Sequence, residues 1–209
     1  MVDKLSNYLL NNLLIKDESI SEEKKEVLLF GITRIIEDIP KYIGIFIICL
    51  ILGILKECLL VFAITIVYKT FIGGAHARTN LGCFLYSTAY FIGPIILAQN
   101  LILSPNILNV VYSLIFLLSI YVIIKIAPAD TEEVPIINKK LRNKLKILAA
   151  TSLSLIYLFA FFVIKDTVLI NIIMIVIAVI DIMSTKIIYK LLKCKYSYES
   201  EEIQELLKD

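Results

Sequence analysis

The chain has few charged residues and few of the side chains that most often bind metals. Only 19% of its 209 residues are charged, and it contains one histidine and four cysteines. A single histidine excludes a His-rich metal enzyme, and no Cys-x-x-Cys pair is present to form a zinc or redox site. The net charge of +2 is too small for a nucleic-acid-binding surface. We therefore expect no metal, no cofactor and no nucleic acid as ligands.

Hydrophobic residues, by contrast, are abundant and lie in long blocks. They make up 59% of the chain, whereas a soluble domain contains roughly 45–50% apolar residues. A soluble core of this chain length cannot bury so much apolar side chain. The composition therefore predicts a membrane protein that crosses the bilayer several times.

Blocks that approach about 20 apolar residues predict membrane-spanning helices. Four blocks qualify directly: residues 83–103, 107–124, 147–164 and 167–182, the last extending to about Tyr189. The block 42–68 contains Lys56 and Glu57, which would cost roughly 2.5–3.5 kcal/mol each near the middle of the bilayer. We therefore predict two short spans here, 42–55 and 58–68, with the break at the charged pair.

The distribution of lysine and arginine predicts the orientation of these spans. With six spans and a cytoplasmic N-terminus, all but Lys56 and Lys165 of the 21 Lys and Arg residues lie on the cytoplasmic side. This distribution satisfies the positive-inside rule, whereas five spans would put a basic segment outside. The sequence thus predicts an all-α fold with six transmembrane helices and both termini in the cytoplasm.

The membrane domain, residues 42–192, is predicted to be flanked by two cytoplasmic segments. In residues 1–41, Ser19 followed by Glu22 fits a capping box, and apolar residues then recur at helical spacing. We predict amphipathic N-terminal helices on the inner membrane surface. Residues 193–209 are short and charged, and are predicted to form a cytoplasmic tail.

The residues best suited to chemistry lie in the link between the second and third predicted spans. This link contains His76, the only histidine, and Cys83. A thiolate paired with an imidazolium is the activated nucleophile of a cysteine peptidase. On a regular helix the two residues would lie about 10 Å apart, but Gly73, Gly74 and Gly82 allow a bend that brings them together. A histidine beside a span and a cysteine at its end are also common without any catalytic role, so the spacing alone leaves both interpretations open.

A second motif follows the fourth predicted span. Pro128 and Pro135 end the helix there and favour an extended cytoplasmic loop. Taken together, the two motifs and the six predicted spans resemble the accessory gene regulator B (AgrB) family of bacterial membrane peptidases, over nearly the whole chain. The residues that carry the resemblance are Gly74-Ala75-His76-Ala77-Arg78-Thr79 with Cys83, and Ala127-Pro128-Ala129-Asp130-Thr131 with Pro135.

The resemblance implies a cysteine endopeptidase that processes an AgrD-like quorum-sensing propeptide in the bacterial cytoplasmic membrane, with the active site on the cytoplasmic side. It implies that Cys83 is the nucleophile and His76 its general base. Cleavage on the C-terminal side of the future ring would give a thioester acyl-enzyme. A cysteine or serine of the peptide would then close a thiolactone or lactone. The resemblance also implies a homodimer.

Other residues are predicted to support this site. Asp181 is an intramembrane carboxylate that would orient His76 or pair with a lysine, and Gly74 and Asn80 are further candidates. Lys69 stands where the resemblance leads us to expect arginine, and lysine lacks the bidentate carboxylate contact of arginine. The candidates for substrate binding are Lys69, Arg78 and Asp130.

The alternative function is a small membrane transporter or interaction protein without catalysis. Such a protein would use Asp181 together with Gln99 and Asn100 to line a path across the membrane. Gln99 and Asn100 fall near the external end of the third predicted span, which argues against a continuous path.

Overall fold

The computed structural model describes residues 2–10, 22–75, 80–131, 135–192 and 194–196. These residues form helices and no strand, which confirms the all-α class for the described part of the chain. The helices are α1 (Val2–Leu9), α2 (Glu22–Ile51), α3 (Leu55–Ile64), α4 (Thr70–Ile72), α5 (Asn80–Asn100), α6 (Pro105–Lys125), α7 (Lys139–Val163), α8 (Thr167–Met183) and α9 (Lys186–Leu191). A π-helical turn, Thr65–Lys69, connects α3 to α4.

Three helices within the described ranges are long and apolar enough to cross a membrane: Leu81–Asn100 of α5, all of α6 and all of α7. At 1.5 Å per residue, 20 residues extend about 30 Å, which matches the hydrocarbon thickness of a bilayer. Helix α8 is apolar but shorter, at about 26 Å for its 17 residues. The chain is thus a membrane protein. The count of six spans and the cytoplasmic location of both termini remain predictions.

The chain divides into two compact units, Met1–Gly53 and Ile54–Asp209. In the first unit, α1 packs against α2. Helix α2 contains Pro40 and continues across residue 41, where the sequence predicted a boundary between the amphipathic region and the first span. The predicted capping box cannot be placed, because Ser19 lies outside the described residues.

In the second unit, α8 packs against α3, α5, α6 and α9. Helix α8 is apolar on every side, so neighbouring helices can pack on every side of it. Most of its residues are buried. The Asn171 amide, near the start of α8, donates hydrogen bonds to the carbonyls of Ala98 at 3.4 Å and Leu101 at 2.9 Å, at the end of α5. Helices α5 and α8 are therefore antiparallel, and the start of α5 lies level with the end of α8.

Two predicted helix ends are wrong. The break expected at Lys56 and Glu57 lies instead at Gly53, whose φ of 72° favours glycine. Glu57 stands in the first turn of α3, where the helix dipole favours a negative charge. The last predicted span, expected to extend to Tyr189, ends at Met183. The Ser184 amide donates to the carbonyls of the preceding turn, and Tyr189 belongs to the separate helix α9.

Candidate active site

The glycine motif forms a tight turn after α4. Gly73 has a φ of 80° and Gly74 a φ of 139°, values that an L side chain rarely adopts. A Cβ on Gly73 would also overlap the carbonyl oxygen of Ala129. Position 73 therefore requires glycine for two reasons, its backbone conformation and the close approach of a second segment.

That second segment is the loop after α6, which carries the other motif of the resemblance. The Ala129 amide donates to the Ile72 carbonyl at 2.8 Å, and the Gly74 amide donates to the Ala129 carbonyl at 2.9 Å. These bonds form a short parallel bridge between Gly73 and Ala129. The Ala75 amide donates to the Met183 carbonyl at 3.3 Å, at the end of α8. The fold thus joins the two motifs, which are more than 50 residues apart in the chain, through their backbones.

An ion pair holds the loop after α6 in place. The Asp130 carboxylate is 1% exposed and accepts a 2.8 Å hydrogen bond from Arg142, whose side chain is 23% exposed. The same oxygen of Asp130 accepts from the Ile136 amide at 2.9 Å. The guanidinium also donates to the carbonyls of Pro128 and Ile136, both at 3.2 Å. One side chain from α7 therefore fixes both ends of the loop.

Two stacked tyrosines cover the other side of this loop. Tyr189 of α9 donates its hydroxyl to the carbonyl of Ala129 at 2.9 Å and contacts that of Asp130 at 3.2 Å. Its ring stacks on Tyr196 with 3.9 Å between the centroids, and the Tyr196 hydroxyl donates to the Ser184 carbonyl at 2.5 Å. Both rings pack with Ala129 and Ala75 in a small buried cluster. The loop is thus held by backbone, ionic and aromatic contacts together.

Cys83 lies at the same end of the helix bundle as this junction. It is the fourth residue of α5, and the residue is partly exposed. Cys83 precedes Ala98 by 15 residues, and Met183 follows Asn171 by 12. Since Asn171 contacts Ala98 and the helices are antiparallel, Cys83 and Met183 lie within about one helical turn of the same level. Cys83 therefore lies near the level of the Met183 carbonyl, which holds the amide of Ala75.

The remaining predicted site residues fall into two groups. His76 and Arg78 follow Ala75 closely in the chain but lie outside the described residues, and of Asn80 only the backbone is described, as the first residue of α5. Lys69 is described: its ammonium lies 4.9 Å from the centre of the Tyr90 ring, a distance typical of cation–π contacts. Tyr90 follows Cys83 by seven residues on α5, which is about two helical turns.

Asp181 lies inside the bundle, near the end of α8. Its two carboxylate oxygens accept hydrogen bonds from Tyr68 at 2.8 Å and from Ser119 at 2.5 Å. The carboxylate therefore links the π-helical turn, α6 and α8, two residues before the Met183 carbonyl that holds Ala75. Among the described side chains, no group of three or more His, Cys, Asp or Glu residues could hold a metal ion.

The polar residues of the alternative function lie at two ends of the bundle. Gln99 and Asn100 are exposed at the end of α5, and the Asn100 amide donates to a carbonyl of its own helix. Asp181 lies ten residues beyond Asn171, about 15 Å along α8 toward the other end. These three residues therefore do not meet in one path.

Comparison with known proteins decides the family. The family model of accessory gene regulator B (AgrB) matches residues 2–188. The chain belongs to the AgrB family. An AgrB-like protein of Listeria innocua serovar 6a is 28% identical over 206 residues, or 95% of this chain and 96% of the relative. An AgrB-like protein of Clostridium beijerinckii is 27% identical over 180 residues, covering 85% and 89%. No solved structure matches the chain.

Membership of the AgrB family indicates that the chain takes part in processing an autoinducer peptide. The two segments that carry the predicted motifs meet at the Gly73–Ala129 bridge, whereas Lys69 and Asp181 belong to neither motif. The sequence did not predict that Arg142, Tyr189 and Tyr196 hold these segments together. Arg142 stands in a run of basic residues, where nothing in the sequence distinguishes it from its neighbours. The two tyrosines stand near the end of the chain, where no apolar periodicity indicated a buried contact.

Proposed function

We propose that this AgrB-family chain is a membrane-embedded cysteine endopeptidase and peptide cyclase. Its substrate is an AgrD-like propeptide, which it cleaves on the C-terminal side of the future ring. Cys83 is the nucleophile and His76 the general base. The enzyme acts as a homodimer in the bacterial cytoplasmic membrane, with its active site on the cytoplasmic side.

The junction between the two motifs is the observation that most supports this proposal. Ala75, which directly precedes His76, is anchored through its amide to the end of α8. Cys83 stands in the first turn of α5, and the start of α5 is level with that end. A histidine that acts as a base on a thiol must be held within hydrogen-bond reach of it. An anchored segment before His76 and a rigid helix under Cys83 both serve that requirement.

The first half of the proposed reaction forms a thioester. His76 accepts the proton of Cys83, and the thiolate attacks the carbonyl carbon of the scissile peptide bond. A carbon–sulfur bond forms, and the electrons of the carbonyl double bond move to its oxygen. When these electrons return, the carbon–nitrogen bond breaks and the departing amine takes the proton from His76. The C-terminal tail of the propeptide leaves with a new amino terminus.

The second half closes the ring. A thiol or hydroxyl of the peptide attacks the thioester carbonyl, and its proton passes through His76 to the sulfur of Cys83. The bond to Cys83 breaks as a thiolactone or lactone forms. Water would compete for the same carbonyl, so cyclisation requires a site from which water is largely excluded. The near-complete burial of Ala75 and Ala129 beside the site supports such shielding.

The test is co-expression of the chain with an AgrD-like propeptide from the same genome. Tail release is followed by mass spectrometry of membranes and medium. We expect Cys83→Ala and His76→Ala to abolish release at unchanged levels of membrane-inserted protein. Cys49→Ala is the matched control, because Cys49 is a free thiol buried in α2. Tail release by Cys83→Ala would show that the proposed function is wrong.

A second measurement looks for the intermediate itself. Purified wild-type protein, mixed with a propeptide whose ring-closing residue is replaced by alanine, should accumulate a covalent adduct. Neutral hydroxylamine should remove this adduct, because it cleaves thioesters. The Cys83→Ala protein should form none. An adduct that maps to another cysteine would contradict the assignment of Cys83.

A further inference from the structure

The Tyr86 hydroxyl is buried and has no hydrogen-bond partner among the described residues. Leaving a buried hydroxyl without a partner costs about 1–3 kcal/mol, and most buried polar groups in folded proteins are paired. Three other tyrosines of this bundle follow that rule: Tyr68 donates to Asp181, Tyr112 donates to the carbonyl of Tyr157, and Tyr90 shares a hydrogen bond with a threonine hydroxyl. The Tyr157 hydroxyl does not, but it lies on α7, away from Cys83 in the chain. The free hydroxyl of Tyr86 therefore calls for a functional explanation.

The position of Tyr86 on α5 provides one. It lies three residues after Cys83, a spacing at which helix residues share a face with about 5–6 Å between Cβ atoms. Long side chains in a helix point back toward its N-terminus, so the Tyr86 ring extends over the turn that contains Cys83. The two side chains are close enough to interact electrostatically.

Tyr86 also lies level with the motif junction. It precedes Ala98 by 12 residues, and Met183 follows Asn171 by the same number. Because Asn171 contacts Ala98 in the antiparallel pair, Tyr86 and Met183 lie at one level, about 18 Å from that contact. The Met183 carbonyl holds the amide of Ala75. A hydroxyl donor, the proposed nucleophile and the segment that leads to the proposed base thus lie at one end of the bundle.

We propose that Tyr86 is a catalytic residue whose hydroxyl donates a hydrogen bond to the carbonyl oxygen that Cys83 attacks. This inference rests on the proposed function, because it needs a carbonyl to react at Cys83. As the carbon–sulfur bond forms, negative charge moves to that oxygen, and a fixed donor stabilises the charge. The electrons re-form the carbonyl double bond when the carbon–nitrogen bond breaks. Because Tyr86 only donates a hydrogen bond, its proton stays on the hydroxyl throughout. The same donor serves the ring-closing attack, which passes through the same kind of oxyanion.

The test compares Tyr86→Phe with the wild type in single-turnover formation of the thioester and in steady-state tail release. Removing one oxyanion donor typically lowers kcat by about 10²–10³-fold, and we expect a loss of about 100-fold. KM should change less than about twofold, because the hydrogen bond strengthens only in the transition state. The thermal unfolding midpoint should not fall, since the hydroxyl has no partner within the described fold.

The matched control is Tyr157→Phe. The Tyr157 hydroxyl is also buried without a partner among the described residues, but it lies on α7, and its ring packs on Tyr112 and Phe116. We expect this variant to process the propeptide at the wild-type rate. Activity of Tyr86→Phe within threefold of the wild type would overturn the inference. So would a parallel loss of activity and thermal stability, which would mark a structural role.

The Cys83→Ala variant separates this inference from the proposed function. If that variant still releases the tail, then the proposed function fails and Tyr86 has no reaction to assist. If it releases nothing while Tyr86→Phe is fully active, then only the role of Tyr86 is wrong.

Discussion

Replacing Arg142 tests whether the loop after α6 depends on its ion pair. The Arg142→Gln substitution removes the cation beside Asp130 and two bonds to the carbonyls of Pro128 and Ile136. Removing one partner of a buried ion pair costs about 3–5 kcal/mol. The Arg142 side chain is 23% exposed, so water partly replaces the lost contacts and we expect the lower end, about 3 kcal/mol. For a chain of this size that corresponds to a fall of about 6–12 °C in the unfolding midpoint.

A double variant of Asp130 and Arg142 tests whether the two stability losses are coupled. Asp130→Asn replaces the buried carboxylate with a neutral amide, and we expect it to cost only about 1–2 kcal/mol. In Asp130→Asn/Arg142→Gln no buried charge is left without its cation. The double variant should therefore be more stable than Arg142→Gln alone, by about 1–2 kcal/mol. Two independent losses would instead add, and would make the double variant the least stable of the three.

Thermal unfolding in detergent, followed by circular dichroism, measures these differences. Lys144→Gln is the stability control, because it removes the same charge from an exposed position on the same helix. Tail release should fall when the ion pair is removed. Arg142 holds the loop after α6, and the Ala129 carbonyl of that loop binds the Gly74 amide. An Arg142→Gln protein that matches Lys144→Gln in midpoint and the wild type in tail release would refute the reasoning.

Two further substitutions address the backbone junction and the buried carboxylate. Gly73→Ala places a Cβ against the Ala129 carbonyl at a φ of 80°, and the backbone strain alone costs of order 1–3 kcal/mol. We expect this variant to lower tail release at least tenfold. The control Gly93→Ala should stay active, because a Cβ there meets nothing within 4 Å. Asp181→Asn can still hydrogen-bond both neighbouring hydroxyls and should keep its unfolding midpoint. Asp181→Leu leaves the Tyr68 hydroxyl without its acceptor, at about 1–3 kcal/mol, whereas the Ser119 hydroxyl keeps the Ile115 carbonyl. Equal midpoints for the two variants would contradict this role.

The helices could be predicted from the sequence wherever apolar blocks were long. The blocks that predicted the spans 107–124 and 147–164 correspond to α6 and α7. Three of the four ends agree within two residues, whereas α7 begins at Lys139, about two helical turns before the predicted start. The break at Gly53 was not predicted, because the charged pair Lys56 and Glu57 is a stronger signal in the sequence than one glycine, whose positive φ appears only in the structure. The end of α8 at Met183 was not predicted, because Ile187, Ile188 and Tyr189 continue the apolar pattern beyond the turn.

The site could be predicted only in part. The motif sequences predicted the two segments of the site, and the structure joins these segments at Gly73 and Ala129. Asp130 was predicted to bind substrate, whereas its carboxylate is buried against Arg142. No local pattern reveals such a pair, because its two residues lie on different elements and meet only when the loop folds back over the start of α7. The contact between Tyr189 and Ala129 is equally non-local.

The last described residues, 194–196, pack against the framework of the candidate site. The Tyr196 hydroxyl binds the Ser184 carbonyl, its ring stacks on Tyr189, and Tyr189 donates to the Ala129 carbonyl. That carbonyl also accepts from the Gly74 amide, so a short series of contacts connects the segment after α9 to the glycine turn. Every acceptor in the series is a backbone carbonyl, so its geometry depends on the chain path and on two aromatic side chains. We therefore expect that replacing Tyr196 disturbs the glycine turn through Tyr189, without altering either motif.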